Sequence, residues 1–302
     1  GPGNKYEFGI PLSSGDRRPL ISENKVGKSE TIENYSSLEP RISLNVLLGN
    51  TSSLKASYNR MTQYIHLLSN TAASSSLDVW TPSTNNIKPE IADAYVLGYF
   101  KNFKNNTYEA SLELYYKDLE NQIDYIDGAD LLINKYIEGD LLTGIGRAYG
   151  LEFLFKKNRG RYNGWFSYTL GRSELKIDGI NKHQWYPTRY DQTHNIKITS
   201  TYKINDRVQV SGNFVYLTGT PVTFPSSKFV IQGFAIPHNA SSARHQFRIP
   251  DYHRLDFSVA INGKKKKKNG KTRKNDSSLI IGVYNVYNRR NPFSIYFSQI
   301  VK

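Results

Sequence analysis

Six histidines, His66, His183, His194, His238, His245 and His253, are the first residues to test for chemistry. No HExxH pair or other metal-ligand spacing joins them. His194 closes the segment DQTH behind Asp191, and His253 precedes Arg254 and Asp256. Both read better as polar residues near strand ends than as catalytic pairs. Cysteine is absent, which excludes disulfides, thiolate metal sites and cysteine catalysis. No GxSxG or P-loop occurs, and the glycines at 144, 146 and 150 flank a strand start without marking a phosphate site. Glu109 and Glu113 lie four apart on one strand, about 13 Å by rise per residue. That is too far for the usual glycosidase pairing. The segment DYIDGAD does not match an EF-hand loop. The sequence therefore predicts no catalytic residue, no metal site and no cofactor.

Binding is the remaining chemistry, and it belongs in the long connections. One connection carries Trp80, and the next carries Asp118, Asp124, Tyr125, Asp127 and Asp130. A third carries Trp185 and Tyr186, and a fourth Phe224, Phe229, Phe234, His238, His245 and Phe247. Exposed aromatic rings stack on sugars or pack on a peptide or siderophore. They serve equally to pack loop on loop. The candidate substrate contacts are Trp80, Tyr125, Trp185, Tyr186, Phe229, Phe234 and His238.

The elements that must position these residues are strands. In the clearest one, Tyr108, Ala110, Leu112, Leu114 and Tyr116 face one way, and Glu109, Ser111, Glu113, Tyr115 and Lys117 the other. Period two over nine residues is a strand signature. The same alternation recurs at 42–48, 54–59, 95–100, 149–156, 162–168, 195–202, 208–216, 254–261 and 279–287. That predicts about ten strands in an antiparallel meander. Short connections (49–53, 103–106, 157–161, 203–206) alternate with long ones (69–92, 118–146, 174–192, 219–252). A soluble sandwich has no reason to place every long loop at one end, whereas an outer-membrane barrel does.

The two faces differ in chemistry. Glu109, Glu113, Glu152, Lys197 and Asn213 stand mid-strand, where burial in a small soluble barrel would be costly. In a wide barrel they face a lumen or a polar plug. Tyr58, Tyr64, Tyr99, Tyr116, Tyr202 and Tyr216 sit near strand ends, as interfacial girdles would. Aromatic residues make up 13% of the chain, with 22 Tyr and 14 Phe. No run of about 20 apolar residues marks a membrane-spanning helix, and no signal peptide opens the chain. The net charge of +14 reads first as a solvated basic surface, then as attraction to acidic substrates or anionic headgroups. The run Lys264–Lys268 reads as a solvated hairpin tip rather than a nucleic-acid site, because no aromatic residue is interleaved with it.

Nine stretches in order resemble TonB-dependent outer-membrane receptors in the form common in Bacteroidetes-type bacteria. They include YSSLEPRISLNVLL (35–48), YEASLELYYKDLENQIDY (108–125), WYPTRYDQTHN (185–195), VYLTGTPVTFP (215–225) and GVYNVYNRRNPFSIYF (282–297). The resemblance implies an all-β, up-and-down transmembrane barrel of roughly 22 strands around an N-terminal plug. Residues 1–302 are expected to form its C-terminal part, without plug, TonB-box segment or final strand. It implies import of a siderophore, glycan or peptide across the bacterial outer membrane. The expected partners are the plug and remaining strands, the TonB complex of the inner membrane, outer-membrane lipid and lipopolysaccharide, and a surface lipoprotein, with no nucleic acid. The contrasting expectation is a soluble β-rich adhesin or carbohydrate-binding module, which would need its apolar faces buried.

Overall fold

In the computed structural model the described residues are 3–13, 15–27, 30–68, 79–127, 129, 134–224, 227–231, 234–238, 243–263 and 277–292. Ten long strands form one antiparallel meander: β1 (Arg41–Leu47), β2 (Ser52–Gln63), β3 (Glu90–Phe103), β4 (Tyr108–Tyr125), β5 (Leu141–Lys157), β6 (Tyr162–Ile177), β7 (His194–Lys203), β8 (Val208–Leu217), β9 (Tyr252–Asn262) and β10 (Ser278–Val283). Each pairs with its sequence neighbour, and the two-residue strand Tyr186–Pro187 adds to the outer end of β6. Among the described residues β1 and β10 do not pair with each other, so the sheet is open.

Register makes one face of this wall apolar. The row Ala110, Phe155, Phe166, Ile198, Phe214 and Leu255 crosses six strands. Above it, Tyr58, Tyr95, Tyr116 and Tyr149 are direct cross-strand partners on four neighbouring strands. Many of these side chains are exposed, including Leu112, Leu114, Tyr95 and Tyr116. A water-soluble protein rarely exposes a contiguous apolar surface of this extent. Burying it in lipid removes the cost, with tyrosines at the headgroup level. The opposite face is polar. Glu109, Glu113, Glu152, Lys197 and Asn213 all share it, alongside Lys55, Ser111, Thr199 and Asp256.

Glycine fits this polar face at one site. Gly150 lies in the row Tyr115, Gly150, Gly171, and a Cβ there would meet the Tyr115 hydroxyl at 2.7 Å and run into the Leu170 carbonyl. The Tyr115 ring occupies the room the two glycines leave. These glycines, with Gly144 and Gly146, lie inside β5 and β6 rather than flanking a strand start.

The strands run further than alternation alone indicates. β4 has 18 residues and β5 has 17, against the roughly 9–11 that span a bilayer. The connections shrink to 126–140 and 178–193, and the bounds 118–146 and 174–192 expected from the sequence are corrected accordingly. The reason is physical: above the tyrosine row the outer face meets water and turns polar. Its next row is Arg60, Asp93, Asp118, Arg147 and Glu174, so the apolar–polar contrast fades. β4 also breaks register between Leu119 and Gln122, with Asn121 in the left-handed region at φ 55°. At the other extreme β10 ends at Val283, and the chain turns through Asn285 and Asn288, both at positive φ. The expected strand end at Tyr287 is thereby corrected.

Short turns fill one end and long connections the other. Gly263 and Ser277, which pair at 2.7 Å, place the connection carrying Lys264–Lys268 at the short-turn end; the lysines themselves lie outside the described residues.

Candidate ligand-binding site

The long-loop end holds what little compact core exists. Leu175, Ile177, Ile180 and Tyr186 form one cluster, and Leu68, Ile87 and Leu141, with Ile123, Tyr125 and Ile137, form another. Two ion-pair networks tie these loops together. In the first, Arg244 is buried. Its guanidinium donates to Asp124 at 3.3 Å, to Asp127 at 3.1 Å and to the Tyr125 carbonyl at 2.8 Å, and lies 4.6 Å from the Tyr125 ring centre. The Tyr186 hydroxyl donates to the other Asp124 oxygen at 2.8 Å. Two connections, following β6 and β8, thus converge on one carboxylate at the end of β4. In the second network Asp191, also buried, accepts from the Ser173 amide at 2.7 Å, from Arg172 at 3.4 Å and from Arg248.

Burial sets the protonation of these groups. It pushes the Tyr186 and Tyr125 hydroxyls up, so both stay neutral, and that of Tyr186 remains a donor to Asp124. It pulls His245 down, against the Pro187 carbonyl that accepts from its Nδ1 at 2.7 Å.

A further layer lies on top. The ribbon Gly3–Phe8 with Leu20–Val26 docks on the connection after β4. Arg17 pairs with buried Asp140 at 2.6 Å, and Tyr6 meets Tyr136 edge-on at 5.5 Å. Hydrogen bonding to Glu23 pushes Lys135 up to about 12.

Beneath these ties is a cavity of about 220 Å³. Gln63, Glu90 and Gln122 bring polar groups to it, Leu67 and Tyr125 apolar surface, and Arg189 a cation whose guanidinium also donates to the Leu67 carbonyl at 3.1 Å. Glu90 reaches it while holding buried His66 at 3.2 Å. The site can accept a small polar group against an aromatic and aliphatic wall.

The residues expected to contact substrate are scattered around this site rather than gathered in it. Tyr125 lines the cavity. Trp80 is 66% exposed on a short hairpin strand, Val79–Pro82, away from the lining. Trp185 stacks at 4.2 Å on Arg147, which belongs to the outer-face row. Tyr186 is 1% exposed and spends its hydroxyl on Asp124. Phe229, Phe234 and His238 lie on a two-stranded hairpin, and their side chains lie outside the described residues. Sequence reasoning missed Arg189, Arg244, Glu90 and Gln122. Their partners lie tens of residues away, so no local spacing marks them. Among the described residues no group of His, Asp and Glu is arranged to hold a metal ion.

Solved structures share this architecture. The ferric-catecholate import receptor Fiu from E. coli K12 matches 90% of this chain and 33% of its own, at 14% identity and a TM-score of 0.57. The siderophore receptor PiuA from Acinetobacter baumannii matches 89% and 35%, at 16% identity and a TM-score of 0.58. The ferripyoverdine receptor of Pseudomonas aeruginosa matches 88% and 31%, at 14% identity and a TM-score of 0.58. These likenesses establish the fold, and the chain spans about a third of each of those receptors. They do not distinguish the Bacteroidetes-type form from others. No curated protein matches the sequence. The family model described as TonB dependent receptor-like, beta-barrel matches residues 15–286, nearly the whole wall and its loops, and the chain belongs to that family.

Proposed function

We propose that this chain supplies part of the barrel wall and of the ligand-binding mouth of an outer-membrane active importer. The observation that carries the reading is the two-faced wall with a partly enclosed, polar-and-aromatic cavity at its long-loop end. A barrel of this family sits in the outer membrane with long loops outside. The apolar face argues against a soluble adhesin, because that face has no cover among the described residues. The cavity is smaller than the roughly 300–1,000 Å³ typical of whole-ligand sites, so it holds one arm of a larger ligand. Tyr125 and Arg189 contact that arm, while Trp80, Phe229, Phe234 and His238 belong to loops that meet the rest. Trp185 and Tyr186 act by holding loop and wall together. The ligand is a ferric siderophore on this reading, as the names of the similar receptors suggest. A glycan or peptide is the other outcome of the test.

On the polar face Glu113 and Glu152 are direct cross-strand partners with no ion pair among the described residues. Like charges placed so repel. A cationic side chain of the plug would settle them, with Glu109, Lys197 and Asn213 completing that contact surface. Energy from the inner-membrane TonB complex would move the plug, and a surface lipoprotein would cap the loops.

The deciding experiment deletes the gene and measures growth on defined iron and carbon sources, then restores full-length receptor carrying Arg189→Gln or Tyr125→Ala. A defect confined to ferric-siderophore growth, with uptake reduced about tenfold by either substitution at normal surface level, supports the reading. Normal growth of the deletion strain on every source refutes import. Charge reversal of both Glu113 and Glu152 to Lys should raise leak of bulky antibiotics through the receptor, and an unchanged leak counts against the plug contact.

A further inference from the structure

Two groups in the lining of the long-loop cavity are left unmet by the chain itself. Thr188 is the first. Its backbone is fixed, the amide on the Ser173 carbonyl at 2.9 Å and the carbonyl under the Asp191 amide at 3.0 Å. Its hydroxyl is buried and has no partner among the described residues. A buried hydroxyl in that state is costly, and a bound polar group recovers the loss. His245 is the second. Its Nδ1 carries the proton, because the Pro187 carbonyl 2.7 Å away can only accept. Burial keeps the ring neutral. Nε2 is therefore a lone-pair acceptor, and it has no partner among the described residues. Glu90 adds a further acceptor. One of its oxygens faces His66 at 3.2 Å, and the other is unpartnered among the described residues.

Charge narrows what can enter. The ionised side chains of the lining are Glu90, Asp124 and Arg189, and behind them Arg244 lies between Asp124 and Asp127. Three acids thus face two bases. Arg189 already donates to the Leu67 carbonyl. A carboxylate or an iron-chelating oxygen is acceptor-only, so it would meet the acceptors His245 and Glu90 within a net negative wall. A hydroxyl both donates and accepts. It can give its proton to His245 or Glu90 and take one from Thr188, while its carbon skeleton rests on Leu67 and Tyr125.

We propose that this cavity receives a neutral, hydroxyl-bearing arm of the cargo, a sugar ring or a hydroxylated residue, in preference to an anionic or iron-chelating arm, with Thr188 and His245 setting the choice. The inference rests on the import reading and specifies which group of the cargo enters.

The test uses full-length receptor in lipid nanodiscs and reads fragment binding by saturation-transfer NMR. The neutral probes are methyl β-D-glucopyranoside and N-acetylserinamide. Their counterparts lacking a hydroxyl are the monodeoxyfluoro glucosides and N-acetylalaninamide, and their anionic counterparts are methyl β-D-glucuronide and N-acetylserine. The tighter of the two neutral probes identifies the source of the hydroxyl. Loss of the contacting hydroxyl should weaken that probe about fivefold, the scale of one hydrogen bond, and its anionic counterpart should bind more weakly still. Thr188→Val removes a hydroxyl that has no partner to lose. Hydrogen exchange of the loops should stay at the wild-type level while binding weakens about fivefold, a split that a purely structural role does not produce. His245→Asn keeps a donor for Pro187, removes the Nε2 acceptor and should cause a similar loss; if it disturbs the loops, Thr188→Val decides. Equal binding of the probes with and without the hydroxyl, tighter binding of the anionic counterparts, unchanged affinity in Thr188→Val, or no binding by either neutral probe overturns the proposal. Growth of the deletion strain on defined iron and carbon sources reports on import without these probes, so the two readings fail separately.

Discussion

Arg244 shows what a single residue contributes here. It reaches Asp124, Asp127 and the Tyr125 carbonyl between them from more than a hundred residues away. Arg244→Met strands two carboxylates and should loosen the loop cluster by about 3–5 kcal/mol. Tyr186→Phe removes one hydrogen bond and should cost about 1 kcal/mol. Hydrogen exchange at 123–127 and 186–189 measures both, and equal effects would contradict the ranking. His245 adds a pH response. Its folded pKa lies below its ordinary value because burial outweighs the Pro187 hydrogen bond and Asp124, with Arg244 and Arg189 acting with burial. The unfolded loop therefore binds the proton more readily. The stabilisation is complete above about pH 6.5 and falls away as pH drops through the lowered folded value. Limited proteolysis of the loops should speed up between pH 7.5 and 5, and His245→Gln should flatten that change. None of this network was legible in the sequence, because an ion pair across a hundred residues leaves no local pattern. Tyr186 illustrates the cost: its type suggested a ligand contact, and neither its burial nor its hydrogen bond to Asp124 could be read beside it.

At the scale of the strand, legibility tracked the solvent. Within lipid the two faces of β4 differ so sharply that Tyr108 to Lys117 could be assigned residue by residue. Past Lys117 both faces meet water, the alternation dissolves, and eight further strand residues up to Tyr125 read as loop. The same logic predicts opposite tolerances at adjacent positions. Leu112→Arg, below the tyrosine row on the lipid face, should cost about 2–4 kcal/mol of folding stability in bilayers. Glu113→Arg, on the polar face opposite Glu152, should cost much less. Gly150→Val should block assembly outright, since its side chain collides with Tyr115 and the Leu170 carbonyl. Heat-modifiable mobility of the receptor reports all three, and wild-type mobility for Gly150→Val would show that the Tyr115 ring yields.

For the molecule as a whole, the open edges matter most. β1 and β10 are exposed along their entire length, and unpaired strand edges invite association. The 302-residue chain expressed alone should aggregate without detergent and fail to give a closed, heat-resistant species, whereas the full receptor should give one. A monomeric, folded, detergent-free product would end the membrane reading. Meander order and loop sidedness were visible in the sequence because both follow from the repeated rhythm of alternation and turn. The grouping of residues around the cavity was not, because it depends on loop packing that alternation does not encode.

The overhang of the strands has an electrostatic consequence. Gln63, Glu90 and Gln122, at the cavity, stand five or six residues beyond Tyr58, Tyr95 and Tyr116. At strand rise and barrel tilt that is roughly 13 Å above the headgroup plane, more than the Debye length of about 8 Å in physiological salt. A ligand entering there is screened from the dense negative charge of the bacterial surface. Anionic and neutral cargo then compete on the mouth's own residues, and binding affinity should change little when the surface charge of the surrounding lipid is altered.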